Sequence, residues 1–230
     1  MSQFHVRRLE HPTPAQLDAV VSIATKAYAS DISEYVYTGG DTALAGALWR
    51  SMINAGVHSG VLYVASAVTV PEPEIRPEAI HAIGLWFPPG QQLYSTPEQR
   101  ALGFTDLIAR IAPEYRTWLL NDFSAKTREL KTRIFGPTME RDTWYANCIA
   151  TDPAYQGRGL ASAIIERVLA DAAATHSVVA LGTQNEKNAA FYQNLGFVER
   201  GRLDANTPWG TFTGNVFIHE PGLRRDKNEA

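Results

Sequence analysis

A chain of 230 residues with 45% hydrophobic content can bury one large core, and reads as one domain rather than two. Its net charge of −3 and isoelectric point near 6.1 carry no basic footprint for nucleic acid or an anionic membrane. The single cysteine, Cys148, excludes an internal disulfide framework, and no stretch has the apolarity of a leader or the length of a bilayer span, so the expected address is the cytoplasm.

Phe4 to Leu9 alternates and reads as a first strand. Thr13 followed by Pro14 is an N-cap and first helical position, opening a helix to about Ala29 with Leu17, Val20, Val21 and Ala24 on its apolar face. Asp31 to Gly40 breaks that pattern and holds two carboxylates, Asp31 and Glu34, among aromatics. Asp41 caps a second helix to about Ala55. Val61 to Val70 and Ala79 to Phe87 read as an antiparallel pair joined by a loop rich in Pro and Glu, and Pro88-Pro89-Gly90 stops the second run. Residues 91 to 143 are a helical insertion that starts at Thr96-Pro97, with Gln99 completing the cap, and splits near Pro113. Its second piece carries Tyr115, Trp118, Leu119 and Phe123 on one side and many Lys and Arg on another. Lid and plain packing are equally open for it.

Trp144 to Thr151 reads as a strand that Asp152-Pro153 ends, since a proline offers no amide to a ladder. A turn, Ala154 to Gly159, leads to a helix whose apolar face is Leu160, Ala163, Ile164, Val168 and Ala172. Unpaired amides at such a helix start suit a pyrophosphate, and the missing Cβ of Gly157 and Gly159 lets an anion approach. Arg158 adds a cation. The dinucleotide pattern GxGxxG fails because Ser162 stands in its third place, and no Gly-Lys-Ser/Thr exists for a phosphate loop. Val178 to Thr183 is a short strand, Lys187 to Leu195 a helix ended by Gly196, and Phe197 to Leu203 and Thr211 to His219 the last strands, around a polar turn at Asn206 and Pro208. The tail from Leu223 is too charged to pack.

Gln156, Gly159 and Ala161 spell Gln-x-x-Gly-x-Ala after a strand ending in Asp-Pro. This resembles the acetyl-coenzyme A signature of the GCN5-related N-acetyltransferases (GNATs), Arg/Gln-x-x-Gly-x-Gly/Ala. Some thirty residues on, Asn185, Asn188, Phe191-Tyr192 and Leu195-Gly196-Phe197 resemble the family's other diagnostic stretch, in the family's order. Gly84 to Gly90 and the run from Asn188 to Phe197 loosely resemble the puromycin-type small-molecule branch, whose drug substrate is not carried over. The likeness covers roughly residues 60 to 90 and 144 to 219. It implies an α/β fold: a mixed, mostly antiparallel twisted sheet of about seven strands, helices on both faces and the helical insertion, with the strands at Trp144 and Val178 splaying apart to admit the pantetheine arm.

The resemblance also implies acetyl transfer from acetyl-coenzyme A (acetyl-CoA) to a primary amine of a small molecule by direct attack, without a metal. The donor would be held by Ile149, Ala150 and Thr151 of the strand, by Gln156, Gly157, Arg158, Gly159, Leu160 and Ala161 of the turn, and by Asn185, Asn188 and Tyr192. The amide of Ile149 would polarise the thioester carbonyl, and Tyr192 would protonate the leaving thiolate. Asp31 and Glu34 are the candidates for the base, with His81 behind them, and Asn147 and Trp144 are candidates for the acceptor wall. Solvated carboxylates, a packed tyrosine and capping asparagines are the structural readings of the same residues. A protein-amine acceptor and a non-catalytic coenzyme A sensor stay open as alternatives, as do monomer and homodimer; no nucleic acid and no membrane are expected as partners.

Overall fold

The computed structural model describes residues 4–66, 75–136 and 139–221. The end of the run to Val70, most of its following loop and the charged tail from Leu223 lie outside the described residues.

Among the described residues there are seven strands: β1 (His5–Arg8), β2 (Val61–Ser66), β3 (Ala82–Phe87), β4 (Thr143–Thr151), β5 (Val178–Thr183), β6 (Val198–Thr207) and β7 (Gly210–His219). They form a sheet in the order β1-β2-β3-β4-β5-β7-β6. All neighbours run antiparallel except β4 and β5, which are parallel. The helices are α1 (Pro14–Ala27), α2 (Ile32–Thr38), α3 (Ala45–Ser59), α4 (Pro97–Ala101), α5 (Phe104–Arg110), α6 (Pro113–Thr117), α7 (Ser124–Phe135), α8 (Met139–Asp142), α9 (Leu160–Ala174) and α10 (Glu186–Asn194). This is the mixed, mostly antiparallel α/β sheet the sequence implied. Among the described residues, no helix is long and apolar enough to cross a membrane.

Helices cover both faces. β2 and β3 are buried along their whole length, which is why VLYVAS and AIGLWF lack a polar alternation. Leu62, Val64, Ile83, Leu85 and Phe87 face a core shared with α1 and α3. Val61, Tyr63, Ala65 and Trp86 face a second core shared with α9. The α1 cap is as predicted: the Thr13 hydroxyl accepts from the Gln16 amide at 3.3 Å, and the Gln16 side chain accepts from the Thr13 amide at 2.8 Å.

Three readings needed correction. Asp31 to Gly40 is not a break: it contains α2, capped by Asp31 and ended by Gly39 at φ +67°. Seven residues are too few to display a helical period, so only the capping chemistry marked it. Asp41 caps a 3₁₀ turn, Thr42–Leu44, rather than the long helix, which runs on to Ser59. The last two strands are longer than read, meeting at a tight turn through Pro208 and Trp209. That turn reaches α2, where Trp209 stacks on Tyr35 and a Cβ on Gly40 would stand 2.3 Å from the indole.

The segment between β3 and β4 is helical, as expected, and divided at Gly103 and Pro113. From Pro113 to Phe135 the rod is continuous, with a π-helical stretch over Trp118–Phe123. Such a stretch rotates the side chains that follow it and recurs at functional sites. α7 lies on β6, where Leu130 and Ile134 close on Gly201 so tightly that a Cβ there would be 2.7 Å from Ile134.

β4 carries the irregularity that matters most. Leu85 pairs with Cys148 but Trp86 pairs with Ala146, so Asn147 is an extra residue on β4. A bulge of this kind flips the alternation. Before it Ala146 faces the α9 core, and after it Cys148 and Ala150 face the α1–α3 core.

Candidate active site

Beyond β4 the chain turns sharply before α9. The Asp152 carboxylate accepts from the Ala154 amide at 3.0 Å and pairs with Lys26 of α1 at 3.2 Å. Gln156 donates to the Thr151 carbonyl at 3.3 Å, and Arg158 donates to the Ala154 carbonyl at 3.0 Å while lying over Tyr155. Gly157 and Gly159 take φ of +73° and +89°, conformations that other residues adopt only with strain. Among the described residues, the amides from Gly157 to Ser162 find no acceptor, and the first helical bond is Ala163 to Gly159 at 3.0 Å. Gly157 to Gly159 are exposed. A row of free amides at the positive end of the fifteen-residue α9 fits a pyrophosphate.

β4 and β5 pair only at Thr143–Val178, Trp144–Val179 and Tyr145–Ala180, and then diverge. The Tyr28 hydroxyl donates to the Ile149 carbonyl at 3.2 Å, so that carbonyl points away from β3. The N–H and C=O of one strand residue point the same way, so the Ile149 amide also faces the divergence. Ala150 is buried, and the Thr151 carbonyl is already taken by Gln156.

Two phenols approach this gap. Tyr192, on α10, is 7% exposed and packs its ring against Phe197 and Phe217. Tyr28, just past the end of α1, packs against Trp49 with the rings tilted and their centres 4.5 Å apart. Burial, and next the neighbouring Cys148, hold both phenols well above the usual tyrosine value. Tyr192 is therefore a protonated donor at every working pH, a hydrogen-bond donor to a thiolate more than a ready acid. Burial pushes the Cys148 thiol up to about 12, so it offers no thiolate nucleophile. Asn185 spends its side-chain oxygen capping α10, accepting from Lys187 at 2.9 Å and Asn188 at 3.4 Å, and Asn188 is exposed.

Beside the gap lies a cavity of about 740 Å³. α1 to α3 contribute Tyr28, Ser33, Tyr37 and Trp49 to its wall, and β4 contributes Tyr145 and Asn147. The insertion adds Leu107, Leu119, Phe123, Thr127 and Lys131, so it walls the cavity as well as packing on the sheet. Trp144 points the other way, into the α9 core.

The two candidate carboxylates differ. Asp31 Oδ1 accepts from the Ser33 amide, the Ser33 hydroxyl and the Gln184 side chain, at 2.8, 2.6 and 2.6 Å. It ties α2 to the end of β5. Glu34 is only 4% exposed, and its Oε2 has no partner among the described residues. Burial first, then the Asp31 charge, raise its pKa; the Trp49 indole opposes the shift without closing a hydrogen bond. His81 stacks on Tyr155 at 3.8 Å, on the turn side of β4.

A model of the acetyltransferase (GNAT) domain matches residues 123–199, which span the bulge, the glycine turn and Tyr192. No curated protein sequence matches the chain. Among solved structures, the chain resembles one described as histone acetyltransferase HPA2 and related acetyltransferase from Corynebacterium glutamicum. The two share 19% identity and a TM-score of 0.61 over 98% of this chain and 99% of that one. The polyamine N-acetyltransferase of Drosophila melanogaster, which forms N-acetylagmatine, is 14% identical with a TM-score of 0.54, over 95% of this chain and 100% of that one. An agmatine N-acetyltransferase is 16% identical with a TM-score of 0.57, over 94% and 99%.

Proposed function

We propose that this chain, whose residues 123–199 match an acetyltransferase (GNAT) domain model, transfers the acetyl group of acetyl-CoA to a primary amine of a small molecule held in the 740 Å³ cavity. The observation that carries the reading is the Ile149 amide turned into the β4–β5 divergence, on the strand that leads to the unpaired amides of the α9 turn. The cavity volume falls in the range of small-molecule sites, roughly 300–1,000 Å³.

Acetyl-CoA supplies an activated acyl carbon. The amides of Gly157 to Ala161, at the positive end of α9, hold its pyrophosphate, with Arg158 at the mouth. Ile149 N–H donates to the thioester oxygen as negative charge develops there. The amine nitrogen forms the C–N bond as the C–S bond breaks, and the sulfur leaves with its electron pair toward the Tyr192 hydroxyl. Glu34, buried behind the Ser33 and Trp49 wall of the cavity, takes the proton lost by the nitrogen; its raised pKa brings it closer to neutrality, where a general base works best. Asp31 acts as a positioning residue, holding Gln184 and the start of α2.

Tyr192→Phe separates catalysis from packing. Thiol release should fall by about 100-fold in kcat, while the calorimetric Kd for acetyl-CoA stays within about twofold. Unchanged kcat would remove Tyr192 from the mechanism, and a chain that does not bind acetyl-CoA would refute the reading.

A further inference from the structure

Among the described residues, the charged groups lining the cavity are both positive. Arg128 and Lys131 stand one turn apart on α7, and no Asp or Glu joins them in the wall. Asp31 and Glu34 stand behind it. Lys131 Nζ sits 4.0 Å above the centre of the Tyr145 ring, and neither cation has a carboxylate within ion-pair reach among the described residues. Burial lowers the Lys131 ammonium to about 8 and pushes the Tyr145 phenol up to about 12, so the ring beneath is neutral and supplies no counter-charge. The rest of the wall is largely aromatic and aliphatic. Asn215 Oδ1, a buried acceptor without a partner, completes it.

A cation desolvated without an anion is costly, and the cost is largely recovered if the ligand brings the anion. A polyamine or agmatine would bring more positive charge to a wall with no acid to receive it. Resting on the acetyl-transfer reading, we infer that the acceptor is an amino carboxylate with an apolar or aromatic body, its carboxylate held by Lys131 with Arg128 at the rim, and not a polycation. The amine end is then left for the Glu34 side, where the free Oε2 lies.

The test compares L-phenylalanine and L-tyrosine with phenethylamine, tyramine, agmatine and spermidine, by thiol release and by calorimetry on the protein saturated with coenzyme A. The carboxylates should exceed their decarboxylated partners by about tenfold or more in kcat/KM, as a charge-assisted contact of roughly 1.4 kcal/mol requires. Lys131→Met should raise KM for the amino acids by a similar factor and so remove their advantage over phenethylamine, and Lys131→Arg should restore part of the loss. Equal or better turnover of the decarboxylated amines or of agmatine would overturn the inference and leave acetyl transfer standing. If acetyl-CoA does not bind, or no amine is acetylated, the acetyl-transfer reading fails. A calorimetric preference for the carboxylates that Lys131→Met abolishes would still support the cavity assignment, and its absence would overturn it.

Discussion

The uncompensated ammonium of Lys131 should cost stability, and replacing it with Met should recover that cost. The group is lowered from 10.5 to about 8, a gap of about 2.5 units, or roughly 3 kcal/mol at 1.36 kcal/mol per unit. The Tyr145 ring attracts the same charge, by about 1 kcal/mol for a partly desolvated pair, so about 2 kcal/mol remains. The sign follows from proton counting: between pH 8 and 10.5 the unfolded chain holds the Lys131 proton and the folded chain does not, so this group's contribution to native stability rises with pH through that window. Below it the full penalty stands. Lys131→Met should therefore be more stable at pH 7 by about 2 kcal/mol, seen as a melting point about 4–8 °C higher for a chain of this size. The advantage should shrink toward whatever packing alone supplies by pH 10.5. The raised Tyr145 phenol is common to both proteins, so it does not imitate the difference. A variant that is less stable at pH 7, or whose advantage is flat from pH 7 to 10, would refute the argument.

Glu34→Gln should lower kcat by about 100-fold at neutral pH and abolish the acid limb of the rate profile. In the native protein that limb should lie above the ordinary carboxylate range, because burial raises the group; an acid limb that survives the substitution would put the base elsewhere. Gly159→Ala puts a side chain at φ +89°, with Phe4 at an ordinary 3.4 Å from the new Cβ. Its effect should be backbone strain of about 1–2 kcal/mol, read as a lower melting point. A weakened cradle should also raise the calorimetric Kd for acetyl-CoA about tenfold; unchanged affinity would mean that these amides do not hold the pyrophosphate.

What was legible in the sequence was what one residue type forces locally. Pro153 ends β4, the glycines at 157 and 159 have the positive φ that their turn requires, and Thr13 caps α1 ahead of Pro14. The sheet as a whole followed from the family resemblance; the residues themselves marked β2 and β3 as an antiparallel pair, and helices on both faces account for their unbroken apolar runs. The misses came from tertiary geometry. Asn147 has no sequence signal as a bulge, because the extra residue shows only when β3 is laid beside β4. Tyr28 lies 121 residues from the carbonyl it bonds, and at the end of α1 it reads as one more apolar residue. Lys131 was visible only as part of a cationic stretch; its difference from the neighbouring cations is burial, and the π-helical stretch before it shifts the register that a 3.6 period would assign. Trp144 was placed in the acceptor wall because alternation gives no hand until the partner helices are known.

Several departures from local consistency lie along or near β4. The bulge at Asn147, the divergence from β5, the unpaired amides before α9, the lone oxygen of Glu34 and the ammonium of Lys131 each lower stability. Chains tolerate such violations where the site requires them, and elsewhere selection for stability removes them. Each violation here lacks a different complement: an anion for the amides, a polarised oxygen for the turned strand, a proton for Glu34 and a negative charge for Lys131. An acyl thioester carried on a pyrophosphate arm supplies the first two, and an ammonium bearing a carboxylate supplies the other two. On the proposed reading, that division of complements between two ligands makes the cavity and the turn one bisubstrate site, and it predicts that acceptor and donor bind side by side on the same protein molecule.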